Sequence, residues 1–112
     1  MTTAGAFIVV WLPMVLGIVM IGAGAVNFAG PRSVHESFAR WGYPAGFHRL
    51  TGGFEVAAGL LLLIPATSRA GAVGSVMILL AAVITLIRHR DWGHLPGAIV
   101  LTAVAMALVI RG

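Results

Sequence analysis

The first apolar run of the chain, residues 6–29, reads AFIVVWLPMVLGIVMIGAGAVNFA and is the clearest indication of the fold. A helix that spans a bilayer needs about 20 consecutive, mostly apolar residues, and this run contains no charged side chain. Pro13 lies inside the run and is able to kink a helix. The run therefore predicts a helix that crosses a membrane.

Three further apolar runs of spanning length follow, at residues 47–65, 70–87 and 95–110. The second run carries His48, Arg49 and Glu55, whereas the third contains no charge. In the fourth run Pro96 suits a first helical turn, because its missing N–H would be unpaired there in any case. We therefore predict an all-α membrane protein, in which a four-transmembrane-helix bundle forms a single integral membrane domain over residues 1–112.

The composition of the chain supports this prediction and excludes other classes of protein. Of its 112 residues, 60% are hydrophobic and 9% are charged, and the mean hydropathy is +1.04. A soluble domain carries about 25% charged residues, so a soluble protein is excluded. The net charge of +4 does not indicate nucleic-acid binding, since the arginines stand at the ends of the apolar runs. The lack of cysteine in the sequence excludes disulfides and thiolate metal sites.

The connection between the first two spans, residues 30–46, is predicted to contain a short interfacial helix over residues 32–41. Its apolar residues share one helical face: Val34, Phe38 and Trp41. Ser33 and Glu36 have the spacing of a capping box, and Glu36 and Arg40 have the spacing of an i, i+4 ion pair. An irregular loop is the alternative. Aromatic anchors at the interface are predicted at three positions: Trp41, Tyr43 and Trp92.

The arginine counts on the two sides of the membrane predict the orientation. The loops between spans 1 and 2 and between spans 3 and 4 hold most of them: Arg32, Arg40, Arg88 and Arg90. The other side has Arg69 and Arg111. The positive-inside rule then predicts a multi-pass protein of the cell membrane, with these two loops cytoplasmic and both termini outside.

The polar side chains of the spans gather in the half of the predicted bundle that adjoins these two loops. The opposite half contains little apart from small and aliphatic residues. Because polar and small residues share helical faces, these faces are predicted to point inward and to line a polar half-cavity. The predicted ligand-binding residues are Asn27, Arg49, Thr51, Glu55, Thr85 and His89. For Arg49 the alternative is an interface charge that reaches into the head-group region.

Glu55 is the residue most in need of an explanation, because it lies about 12 Å from the start of its helix at 1.5 Å per residue. A charged side chain at that depth costs about 2.5–3.5 kcal/mol, so the carboxyl must be protonated, paired or hydrated. His48 shares its helical face, and the two are predicted as an acid/base pair for catalysis. The alternative is a structural Glu55 that is hydrogen-bonded across the bundle to Asn27, Thr85 or a backbone carbonyl.

The loop before the fourth span holds three residues of types that bind metals, namely His89, Asp91 and His94. They match no compact ligand motif. A solvated turn between two helices explains them, and no metal ligand is predicted.

One segment has a distinctive pattern, in which Gly42-Tyr43-Pro44 is followed by residues 52–59, GGFEVAAG, and then by a leucine run that ends at Ile64-Pro65. This pattern resembles the DoxX-like family of small four-helix membrane proteins, and the similarity covers nearly the whole chain. Two positions depart from the family pattern. The first span closes with Asn27 where family members often have lysine, and Leu86 follows Thr85 where many have histidine.

The resemblance implies an integral membrane protein that works together with redox systems. Three functions are considered. The first is a small subunit of a redox-linked complex that binds a quinone or lipid in the polar half-cavity around Glu55, without a built-in cofactor. The second is a non-catalytic accessory or assembly subunit. The third is a small membrane enzyme, of isomerase, cyclase or hydrolase type, that uses Glu55 and His48 as acid and base. Expected partners are the lipid bilayer, other membrane subunits or further copies of the chain, and a hydrophobic small molecule, but no nucleic acid.

Overall fold

The computed structural model describes residues 2–111. For Arg111, one of the arginines used above to predict the orientation, only the backbone is described. All regular structure in this part of the chain is helical, as the sequence predicts. The helices are α1 (Thr3–Ala29), α2 (Arg32–Arg40), α3 (Phe47–Leu63), α4 (Ser68–Arg88) and α5 (Leu95–Arg111). A short 3-10 turn, Pro65–Thr67, joins α3 to α4.

The four long helices occupy the four apolar runs, with ends shifted by a few residues. α1 begins at Thr3 because the Thr2 hydroxyl accepts a hydrogen bond of 3.0 Å from the Gly5 N–H and caps the first turn. The helix is followed by Gly30, whose φ of +65° is a left-handed conformation that favours glycine. A Cβ at Gly30 would also lie 2.5 Å from the His48 ring, so a larger residue does not fit at this end of α1.

α2 forms where the interfacial helix is predicted, but its local contacts differ from the prediction. Its N-cap residue is Pro31 and no side chain caps it, so the predicted Ser33–Glu36 capping box is wrong. Glu36 accepts a hydrogen bond of 3.0 Å from Arg32, one turn before it, and the predicted pair with Arg40 is wrong as well. The apolar face of α2 does turn inward, with its residues buried or half-buried: Val34, Phe38 and Trp41.

α1 and α3 run antiparallel and touch through their backbones at two glycine pairs, Gly17–Gly59 and Gly24–Gly52, which we call the α1–α3 seam. A Cβ at Gly52 would lie 2.5 Å from the carbonyl oxygen of Gly24, and a Cβ at Gly59 would lie 2.6 Å from that of Gly17. On each helix the two glycines are seven residues apart, which places them on one face. Small residues allow membrane helices to approach this closely, so the seam belongs to the interior of the chain.

α3 packs against both α1 and α4, α4 packs against α5, and α1 and α5 also touch. The α3–α4 contact is close at Gly71, where a Cβ would lie 2.7 Å from the backbone nitrogen of Leu62. The hydrophobic core between these helices consists of small and aliphatic side chains: Leu16, Met20, Ala58, Leu62, Ala72, Leu79, Ala105 and Leu108.

The outward faces of the helices are apolar. α1 and the segment Pro65–Arg88 are each long and apolar enough to cross a membrane, and α5 is a shorter apolar helix. Only 17% of the most apolar window of α1 and 33% of that of Pro65–Arg88 is buried, whereas the core helix of a soluble protein is mostly buried. Large side chains such as Ile18, Met77 and Ile110 are 62%, 68% and 81% exposed. Helices with such faces are suited to an apolar solvent.

Candidate functional site

The polar side chains meet at one end of the molecule, which we call the polar end. It consists of the last turn of α1, all of α2, the start of α3, the end of α4 and the α4–α5 loop. The sequence predicts a single polar half-cavity here. The structure instead separates most of the predicted site residues into two groups, one between α1 and α3 and the other between α4 and the segment after α2.

The first group, the α1–α3 polar contact, consists of Asn27, His48 and Glu55. The Asn27 side-chain amide donates a hydrogen bond of 2.5 Å to Glu55 Oε1. The Asn27 backbone carbonyl accepts a hydrogen bond of 2.8 Å from His48 Nδ1. Since a carbonyl oxygen can only accept, the proton of this bond lies on Nδ1. Asn27 therefore forms a hydrogen bond with each of the two residues that the sequence predicts as an acid/base pair.

This contact is tightly enclosed. Glu55 is 7% exposed and His48 is 3% exposed, and the glycine pair Gly24–Gly52 lies one turn along each helix from Asn27 and Glu55. The backbones are too close there for a ligand to enter between α1 and α3. In chemical terms, the neutral amide of Asn27 supplies the donor that Glu55 needs inside an apolar protein.

His48 also touches a histidine that the sequence analysis did not single out. Its ring meets the ring of His35 on α2 edge-on, with centroids 4.3 Å apart, and Phe38 lies 6.1 Å away on the same side. His35 itself is exposed. No local sequence signal marks His35, because its neighbour His48 is brought to it by the turn between α2 and α3.

The second group surrounds the α2–α4 cavity, which has a volume of about 420 Å³. Its lining residues come from the segment directly after α2, from the last two turns of α4 and from the residue after α4: Trp41, Gly42, Tyr43, Ala81, Ile84, Thr85, Arg88 and His89. The hydroxyls of Tyr43 and Thr85 share a hydrogen bond of 2.5 Å at its wall. Thr85 and His89 are predicted ligand-binding residues, whereas Tyr43 and Trp41 are predicted only as interface anchors.

Aromatic rings support this cavity from the α2 side. Phe38 contacts Trp41 at a centroid distance of 5.3 Å, and the Tyr43 and Phe47 rings are stacked 4.5 Å apart and nearly parallel. The Trp41 indole nitrogen, Nε1, is buried and has no hydrogen-bond acceptor in the described part of the chain. Sequence reasoning does not reveal this donor, because the neighbours of Trp41 depend on how the segment after α2 turns.

The α4–α5 loop closes the polar end through Asp91. His94 Nδ1 lies 2.9 Å from one oxygen of this carboxylate, and Arg40 at the end of α2 donates to the other at 3.3 Å. The hydrogen bond from His94 is the main cause that lowers the pKa of Asp91, and Arg40 lowers it further. Asp91 and His94 thus pair with each other, while His89 lies at the α2–α4 cavity.

Two predicted ligand residues join neither group. Arg49 is exposed and Thr51 is half-buried. Neither side chain forms a hydrogen bond within the described residues. The exposure of Arg49 agrees with the alternative of an interface charge.

A second cavity, of about 650 Å³, lies at the opposite, apolar end. Elements from all four long helices line it, and its lining is mostly aliphatic: Ile8, Val9, Val10, Met14, Leu62, Leu63, Pro65, Ser68, Arg69 and Leu108. The residues predicted to bind a ligand are all at the other end of the molecule.

The helical architecture and the apolar outward faces define the class as a small helical membrane protein. Residues 11–108 match the sequence model of the DoxX-like family. Since the match covers most of the chain, the protein belongs to the DoxX-like family, and the resemblance seen in the sequence is confirmed. Comparison with curated proteins and with solved structures gave no match in either set.

Proposed function

We propose that the chain crosses the membrane four times, through α1, α3, α4 and α5. α3 and α5 have 17 residues each, which is about 25 Å at 1.5 Å per residue and within the range of spanning helices. The longest dimension of the molecule is 46 Å, which is close to the thickness of a bilayer with its head groups, about 40–45 Å. In this arrangement the polar end lies at the cytoplasmic interface and the termini lie outside, as the arginine counts predict.

We further propose that the protein binds the polar head of a hydrophobic small molecule, such as a quinone or a lipid, in the α2–α4 cavity. The observation that carries this proposal is the composition of the cavity wall. Thr85 and His89 offer polar atoms at one side, while Ala81 and Ile84 continue onto the apolar outer face of α4. A cavity of about 420 Å³ has the size of ordinary small-molecule sites. Service in a redox-linked membrane complex is the role that the family resemblance implies for such a protein.

For Glu55 and His48 the geometry favours a structural role over the acid/base role. The Glu55 carboxyl already has a donor in Asn27, and the glycine pair beside it keeps the helices in contact. We therefore propose that Glu55 positions α1 against α3. The same observation favours, as a second candidate function, an accessory subunit without chemistry of its own.

Native mass spectrometry of protein in lipid nanodiscs tests these proposals. We expect wild type and Glu55→Gln to retain the same small ligand, and Thr85→Val to lose it. Thr102→Val is the matched control, because Thr102 is equally buried but its hydroxyl donates to Ala98 O within α5. Loss of the ligand in Glu55→Gln alone would mean that the ligand binds at Glu55 and not in the α2–α4 cavity. Co-purification of a partner protein with no ligand in any form would favour the accessory subunit.

A further inference from the structure

We propose that the α2–α4 cavity selects an anionic head group, a phosphate or a carboxylate, on an amphiphile whose tail lies along α4. This inference rests on the proposed function, because it names the class of ligand that the cavity takes. Three features of the wall carry it: a buried donor without an acceptor, a cation without a counter-ion, and a lining that contains no acidic side chain.

The buried donor is the indole N–H of Trp41. An indole nitrogen can only donate a hydrogen bond, and buried donors in folded proteins nearly always have an acceptor. Trp41 Nε1 has none within the described residues, and Trp41 lines the cavity. Because Nε1 is covered by neighbouring atoms, a small rotation of the indole ring would bring it to an oxygen atom of a bound ligand, which would supply the missing acceptor.

The cation is Arg88, at the last turn of α4. Both arginines of α2 have carboxylate partners, whereas the Arg88 side chain forms no ion pair in the described part of the chain. His89 lies beside it on the same wall, and the lining holds no aspartate or glutamate. Arginine binds phosphates and carboxylates through paired N–H groups, so the charge of this wall favours an anion over a neutral head.

The hydroxyl pair adds a further donor. One proton is used in the hydrogen bond between Tyr43 and Thr85, and each hydroxyl carries one proton. Whichever hydroxyl donates within the pair, the other still has its proton free for another acceptor. The wall thus offers several donors, from Trp41, Arg88 and this pair, which matches the many oxygens of a phosphate.

The apolar part of the wall indicates an amphiphile rather than a free anion. Ala81 lines the cavity one turn before Thr85, and Ile84 is 56% exposed on the outer face of α4. A tail that leaves the cavity along these side chains would enter the bilayer directly. A soluble phosphate would leave this apolar surface uncovered, and the experiment below distinguishes the two sources.

Binding of short-chain lipids to the purified protein in non-ionic detergent tests the inference. Dioctanoyl phosphatidic acid is titrated against dioctanoyl phosphatidylcholine, a neutral short-chain quinone and inorganic phosphate, with native mass spectrometry as the readout. We expect phosphatidic acid to bind about tenfold more tightly than the other three, since one charge-assisted hydrogen bond is enough for that ratio.

Variants of the wall locate the bound anion. Trp41→Phe keeps an aromatic ring and removes the N–H, and Arg88→Gln removes the charge. Each is expected to weaken the binding of phosphatidic acid about tenfold and to leave the binding of the quinone unchanged. Arg88→Lys keeps a charge without the paired N–H groups and is expected to lie between wild type and Arg88→Gln. Circular dichroism of each variant verifies that the helices are intact.

Arg90→Asn is the matched control. Arg90 is an exposed arginine two residues from Arg88, outside the cavity lining, and its φ of +54° is a conformation that asparagine adopts readily. If Arg90→Asn weakens the binding of phosphatidic acid as much as Arg88→Gln does, the binding is due to general surface charge, and the inference is overturned.

The remaining outcomes separate this inference from the proposed function. Equal binding of the quinone and of phosphatidic acid, with both lost in Thr85→Val, overturns anion selection and leaves the cavity as a ligand site. Equal binding of inorganic phosphate and phosphatidic acid overturns the role of the tail. Binding of none of the probes overturns both proposals together.

Discussion

At the polar end, the α1–α3 polar contact and the α2–α4 cavity both gather polar side chains, but in different backbone settings. The first lies beside a glycine pair whose helices touch, so Asn27 and Glu55 satisfy each other directly. The second lies between α4 and the segment that follows α2, and the rings of Trp41 and Tyr43 line the cavity that remains there. The separation of the backbones thus decides whether polar residues bind each other or leave room for a ligand.

The largest expected effect comes from opening the α1–α3 seam with Gly52→Ala. The new Cβ would meet backbone atoms of Gly24 and Phe28 at 2.5 Å, and backbone cannot move aside as a flexible side chain does. We expect a loss of about 1–3 kcal/mol in the free energy of unfolding, measured by denaturation in mixed micelles.

Gly53→Ala is the control for that measurement. Gly53 is the next residue of α3, it is exposed, and a Cβ there would meet nothing within 4 Å. Its free energy of unfolding is expected to equal or exceed that of wild type, because alanine favours a helix more than glycine does. Equal losses at both positions would contradict a seam in which the backbones touch.

A similar or slightly smaller effect is expected from Asn27→Leu, which leaves the Glu55 carboxyl buried without its donor. Such an unpaired group costs about 1–3 kcal/mol, whereas Glu55→Gln, whose amide oxygen can still accept from Asn27, should cost less. Tyr43→Phe removes the hydrogen bond to Thr85 and is expected to cost about 1 kcal/mol.

The double variant Asn27→Leu/Tyr43→Phe tests whether the two groups stabilise the fold independently. Losses in the free energy of unfolding from substitutions at sites without shared partners add within about 0.5 kcal/mol. These two hydrogen bonds share no residue. Additive losses in the same denaturation experiment would show two independent groups. A coupling well above that value would show a single polar network.

The smallest effect is expected from Asp91, which connects α2 to the α4–α5 loop beside the cavity. Its pKa is lowered from the ordinary 3.8, first by the hydrogen bond from His94. A carboxyl with a lowered pKa in the folded state stabilises the fold above its unfolded pKa, and this contribution is lost as the pH falls through the folded value.

Acidification of wild type from about pH 5 to about pH 3 should therefore lower its Tm by more than it lowers that of Asp91→Asn, which has no carboxyl to protonate. Thermal unfolding followed by circular dichroism measures this difference. Parallel loss of Tm in the two proteins would mean that the contacts of Asp91 with His94 and Arg40 do not contribute to stability.

Much of the fold follows from the sequence, because the apolar runs are long and contain few charges. The helical architecture and the grouping of polar residues at one end were both predictable. The contact between Asn27 and Glu55 was one of the alternatives, since a membrane-embedded carboxyl needs a nearby donor. The choice between a ligand and Asn27 was not predictable, because it depends on how closely two helices approach.

Other features depend on contacts between distant parts of the chain. Gly17 and Gly59 are small residues on their helices, but no local pattern states that they face each other. The hydrogen bond between Tyr43 and Thr85 depends on the turn between α2 and α3, where Gly42 and Gly46 have positive φ values of +83° and +84°. The bounds of α2 were predictable, but its cap was not, because the helix begins after Pro31 without a capping side chain and the Ser33–Glu36 capping box does not form.

The antiparallel glycine pairs also have a consequence for biosynthesis. Gly17 meets Gly59, and Gly24 meets Gly52, so α1 has no partner along this face until α3 has been made. At about 5–20 residues per second, we expect α1 to remain unpaired in the translocon or the bilayer for seconds, with its glycine face in contact with lipid or with a chaperone. The α1–α3 seam is therefore expected to be the first tertiary contact of the nascent chain, and α4 and α5 would assemble upon it.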